Sequence, residues 1–167
     1  MRTLSENLRG QDFADYITAH LPIADTLSLT RNRWPGGNGS PIHTRVLEDL
    51  SAFYIRTVHT THWFSFYVPP EQKLKVCLFR FNEASMDILL SHYDSIFYSD
   101  GHYWKRPEDL CFFKDSVLVS GSVTHERICF FYNESLPLPG VWETEPSALA
   151  EQISLNEMSV KDYYHDK

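Results

Sequence analysis

Residues Leu110 to Tyr132 read LCFFKDSVLVSGSVTHERICFFY, three apolar runs separated by two short polar turns. In the middle run Val117, Val119, Gly121 and Val123 alternate with Leu118, Ser120, Ser122 and Thr124. A strand points successive side chains to opposite faces, so this run offers one apolar face and one of mainly small polar residues. Lys114-Asp115-Ser116 and Thr124 to Arg127 supply the turns, and Asn133, Pro137 and Pro139 end the third run. The stretch predicts a three-stranded antiparallel meander. Its outer runs are apolar at nearly every position, which predicts cover on both faces. Gly121 marks a position for a bulge or a close approach.

Working outward, Glu83 to Tyr93 places Met86, Leu89, Leu90 and Tyr93 at i, i+3, i+4 and i+7, which predicts a helix. Asp100-Gly101 predicts a tight turn between two short aromatic strands, Ile96 to Ser99 and His102 to Trp104. Trp63 to Val68 and Lys73 to Phe81, joined by Pro69-Pro70-Glu71-Gln72, read as a second hairpin. Ile42 to His59 reads as a helix to about Phe53 followed by a strand. Near the start, Thr3 and Glu6 have capping-box spacing, and Leu4, Leu8, Phe13, Tyr16, Ile17, His20 and Leu21 fall on one helical face. That predicts a helix ended by Pro22, with Gly10 dividing it, and then a short strand over Ile23 to Leu29. Asn32 to Pro41 reads as a loop, Leu136 to Pro146 as proline-rich, Ser147 to Leu155 as a last helix, and 160–167 as a frayed tail. The sum is a single α+β domain over 1–167, mainly an antiparallel sheet of about five to seven strands built from hairpins and a meander, with three to four helices packed on it.

The formal net charge is −7, unevenly spread: +2 over residues 1–82, −4 over 83–109, zero over 110–133 and −5 over 134–167. Such a balance disfavours nucleic acid and favours a basic protein partner. Met1 to Gly10 is polar and no apolar run approaches a membrane span, so a cytoplasmic protein without a membrane segment is expected. Cys77, Cys111 and Cys129 lie singly in apolar runs and read as buried reduced thiols.

The chain has no GxSxG, phosphate-loop, dinucleotide or Cys-x-x-Cys motif, so neither a cofactor nor a metal is expected. His59 and His62 sit in HTTH, but a strand puts i and i+3 on opposite faces. His125 beside Glu126 offers an acid-base couple, with Arg127 able to hold an anion, but THER reads first as a polar hairpin turn. The segment from Tyr93 to Asp109 offers Tyr93, Asp94, Tyr98, Asp100, His102, Tyr103, Trp104, Glu108 and Asp109, aromatic anchors among acids as protein interfaces use them. The expected function is therefore binding: a small acidic inhibitor of the immunity-protein type, neutralising a basic partner such as a bacterial nuclease toxin. The alternatives are a small enzyme using His125, Glu126 and Arg127, and a structural or adaptor subunit.

Overall fold

The computed structural model describes residues 1–4, 6–31, 41–63, 66–69, 71, 73–97, 106–132, 136–144 and 154–155, with backbone alone for 41–44, 66 and 67. Among the described residues the chain is α+β as expected, and its one open sheet has eight strands, more than the five to seven expected, because the short edge strands carry little signal of their own. The strands are β1 (Arg2–Leu4), β2 (Thr26–Arg31), β3 (Tyr54–Thr60), β6 (Leu74–Arg80), β7 (Glu108–Lys114), β8 (Val117–Val123), β9 (Ile128–Phe131) and β10 (Trp142–Thr144). A separate two-stranded ribbon pairs β4 (His62–Trp63) with β5 (Phe66–Tyr67). The order in the main sheet is β10-β1-β9-β8-β7-β2-β6-β3, antiparallel throughout. The described helices are α1 (Gln11–Ala19), α2 (Pro41–Asp49) and α3 (Glu83–His92).

The expected meander is β7-β8-β9, with one change. Phe112 pairs with Ser120 but Phe113 with Leu118, so Val119 is an extra residue in β8. This bulge flips the alternation. Leu118 joins Phe113, Cys111 and Val123 in the core on one face of the sheet, while Ser120 bonds to α1 on the other. The bulge lies two residues before Gly121, the position the sequence suggested.

The sheet is covered on both faces. The larger core packs Phe13, Tyr16 and Ile17 of α1, Val46 of α2 and Leu89 of α3 on Leu27, Leu29, Phe79 and Phe112. On the other side Trp63, Val68 and Leu155 pack with Val76, Leu78, Phe113 and Leu118. α3 is closed at its start by a capping box between Asn82 and Ser85, which satisfies two of the backbone donors that a helix leaves open there.

Three expectations are corrected. The first residues form a strand, not a helix: Arg2 pairs with Phe131 and Thr144, and Leu4 with Trp142. Glu6 accepts from the Val141 backbone N–H (3.3 Å) instead of closing a capping box. Gly10, at φ 54°, then opens α1, a left-handed conformation suited to glycine. Secondly, Leu74–Arg80 does not pair with Trp63 to Val68. Five of its residues are buried, and it takes long partners on both sides, Thr26–Arg31 and Tyr54–Thr60. Thirdly, Trp142–Thr144, read as part of a proline-rich connection, adds an edge strand. Residues 98–105 with the Asp100-Gly101 turn, residues 32–40 of the loop and the tail lie outside the described residues, as does nearly all of the last predicted helix; Ile96 and Phe97, expected to begin a strand, are bends instead.

Candidate functional site

Four residues of the expected aromatic-acidic patch are described, and they divide between interior and surface. Tyr93 ends α3 at 5% exposure, and its hydroxyl donates to the Pro107 carbonyl (3.0 Å). Glu108 and Asp109 are buried at 7% and 3% exposure, because β7 runs through the middle of the sheet. Asp94 alone of these four is exposed. Tyr98, Asp100, His102, Tyr103 and Trp104 lie outside the described residues. A surface containing Tyr93, Glu108 and Asp109 is thereby corrected: their side chains belong to the interior.

Among the described residues, a group of exposed acids lies on the helices. Asp12 and Asp15 on α1, Glu48 and Asp49 on α2, and Glu83 and Asp87 on α3 all face solvent. Within these helices the only Lys or Arg is Arg45, so the helical layer carries a formal −5. The strands carry the opposite sign, six Lys or Arg against three acids. The cause is amphipathic. Each helix buries its apolar side on the sheet and turns its polar side outward, and in this chain the polar side is acidic. α3 packs against both α1 and α2, which makes the three outer faces one surface. Asp12 and Glu83, in the first turns of α1 and α3, are also favoured there by the helix dipole. His92 meets Asp49 at 2.8 Å and links α3 to α2 within the same surface.

A second grouping forms at one end of the sheet. The β8-β9 connection is a single 3-10 turn over Thr124–Glu126, followed by Arg127 at φ 57°. This is the polar turn that THER predicts. The side chains of His125 and Glu126 are exposed, with His125 Nε2 3.9 Å from Glu126 Oε1. The closer grouping is across strands: ligand atoms of His125, Glu108 and Asp109 all lie within 4.8 Å of one another. A bulge in β7 makes this possible. The β2-β7 register shifts between Ser28 and Thr30, which sets Asp109 and Leu110 against Leu29, and Asp109 adopts φ 53°. Bulges of this kind re-aim side chains at sheet ends. The Asp109 N–H donates to Thr124 Oγ1 (3.1 Å), and the Thr124 N–H donates to Asp109 Oδ1 (2.9 Å).

The buried polar group beneath α1 is a packing element. His20 is fully buried between Phe112 and Phe131. Its Nδ1 lies 2.7 Å from the Tyr16 carbonyl and its Nε2 2.7 Å from Ser120 Oγ. A carbonyl only accepts, so Nδ1 carries the proton and Nε2 accepts from the Ser120 hydroxyl. Burial lowers the His20 pKa to about 4, which keeps the ring neutral. The Tyr16 hydroxyl completes the set, 3.0 Å from Ser120 Oγ and 3.5 Å from Cys129 Sγ. With Ser120 and His20 both at 0% exposure, no substrate reaches this serine-histidine pair. Cys77, Cys111 and Cys129 are buried and unbridged, as the sequence predicts. Burial raises all three thiol pKa values, that of Cys129 to about 12. Among the described residues, His59 and His62 join no group of three metal-ligating side chains.

No helix among the described residues is long and apolar enough to cross a membrane. No protein-family model, curated protein or solved structure matches the chain.

Proposed function

We propose that this protein acts by binding a basic protein through the outer face of its helical layer, in the manner of an immunity protein that covers the positive cleft of a nuclease toxin. The observation that carries this reading is the charge separation: six exposed acids and one arginine on three adjoining helices, over a sheet whose strands carry more cations than acids. A concentrated field of one sign steers an oppositely charged partner and raises its association rate, while repelling nucleic acid and other acidic proteins. The rigid backing matters as well. The helices stand on a sheet packed on both sides, so the acids are presented without a folding cost at binding.

The test is affinity capture from the organism that encodes the chain, at low and high salt, with the protein and a variant neutralised at Asp15→Asn, Glu48→Gln and Asp87→Asn. Asp12 and Glu83 are left in place because they support their helix starts. The reading expects one basic partner that high salt and the variant both release. A partner held equally by the variant at both salts overturns it.

A further inference from the structure

The geometry points to a divalent metal site formed by Glu108, Asp109 and His125, taking a first-row transition ion of the Zn2+ or Mn2+ class. Their ligand atoms lie within 4.8 Å of one another. The two carboxylates come from the first residues of β7 and the imidazole from the 3-10 turn between β8 and β9. Two oxygens and one nitrogen form a donor set suited to such ions. Imidazole selects against Ca2+ and Mg2+, which prefer oxygen alone. Around a common ion with bonds of about 2.1 Å, the donors stand about 3.4 Å apart. Closing from the observed spacing would be taken up by rotation of His125, whose side chain is 37% exposed.

Two features separate this group from the acid clusters common on protein surfaces. Glu108 and Asp109 are adjacent in sequence and both buried, at 7% and 3% exposure. Adjacent carboxylates held inside a protein repel each other, and a dication shared by both would relieve that repulsion. The supporting bonds also have the form found around metal ligands. The Thr124 N–H fixes Asp109 Oδ1, and Thr124 belongs to the same turn that brings in His125. Outer bonds of this kind hold a ligand in its coordinating orientation. Three protein ligands leave one position of a tetrahedral ion for water, as in sites that are more than structural.

The inference is independent of the partner reading, because metal binding is read without a partner. The experiment is calorimetric titration of the full chain, stripped with chelator, with Zn2+, Mn2+ and Mg2+ in turn, alongside thermal unfolding. The expected result is one site per chain for Zn2+ or Mn2+, none for Mg2+, and a melting temperature that rises with the bound ion. His125→Ala, at an exposed turn position, should weaken binding at least tenfold and remove the rise in melting temperature, with the circular dichroism spectrum unchanged. Glu108→Gln serves as the second variant and should do the same. Absence of Zn2+ and Mn2+ binding up to millimolar concentration, or equal binding by the wild type and folded His125→Ala, overturns the assignment.

Discussion

Asp109 and Thr124 clasp each other across 15 residues of sequence, each backbone N–H donating to the other's side-chain oxygen at 3.1 and 2.9 Å. The pair locks the bulged start of β7 to the turn that follows β8. Both residues are buried, so neither N–H has water as an alternative acceptor. Thr124→Val keeps the shape and removes the acceptor for Asp109 N–H. It should cost about 1–3 kcal/mol, the usual penalty of an unsatisfied buried donor, in urea unfolding. Asp109→Ala should cost a similar amount, and the double variant less than the sum, since the two changes remove one shared unit.

His20 predicts a pH dependence with a defined sign. Its folded-state pKa is lowered from 6.5 to about 4. Below pH 6.5 the unfolded chain takes up a proton that the folded chain refuses until pH 4, so this contribution is intact above the unfolded value and is lost as pH falls toward the folded one. Between pH 6.5 and 4.5 the wild type should lose roughly 2 kcal/mol more unfolding free energy than His20→Gln, which cannot titrate. Equal slopes for the two proteins would contradict the buried neutral ring.

Gly140 and Gly10 should respond unequally to alanine. Both have positive φ, 88° and 54°. A Cβ on Gly10 meets nothing within 4 Å, whereas on Gly140 it falls 2.5 Å from Leu8 Cδ2 and 3.3 Å from Leu4 Cδ1. Gly10→Ala should therefore cost the backbone penalty alone, about 1–3 kcal/mol for an L residue at φ 54° and ψ −123°. Gly140→Ala should cost more, adding about 1–3 kcal/mol of overpacking to its own backbone penalty, since Leu8 is itself buried and cannot yield cheaply. Thermal unfolding of the two variants gives the comparison.

The three cysteines should be silent in the native state. Each is buried with a raised pKa, so the thiolate that reacts is scarce and screened. A thiol-reactive disulfide reagent at pH 7.5 should label none within minutes and all three once urea is added.

The meander and α3 were legible because their signals are local: alternation closed by turn residues, and an apolar i, i+3, i+4, i+7 pattern. The first strand was not. Three residues, Arg2–Leu4, are held between Phe130-Phe131 and Trp142–Thr144, and that distant pairing outweighs the helix-starting chemistry of Thr3 and Glu6. The bulge at Asp109 was hidden for the same reason, since register belongs to a pair of strands, and Gly121 signalled the one at Val119 only to within two residues. The proposed binding surface was hidden as well. As a block, residues 1–82 carry an excess of positive charge, yet Asp12, Asp15, Glu48 and Asp49 within it are all four acids of α1 and α2, each exposed. The polar faces of the helices held the signal, and block sums erased it. Likewise, His125 was paired with its neighbour Glu126, while the sheet brings it to Glu108 and Asp109.

The most direct measurement is the association rate of the captured basic partner with the wild type and with the Asp15→Asn, Glu48→Gln, Asp87→Asn variant, across a salt series. The account predicts that at low salt the variant associates at least tenfold more slowly, that its rate depends less steeply on salt, and that the two proteins converge at high salt, with melting temperatures alike. Identical rates and salt slopes for the two proteins would contradict the claim that the acidic helical face is the binding surface.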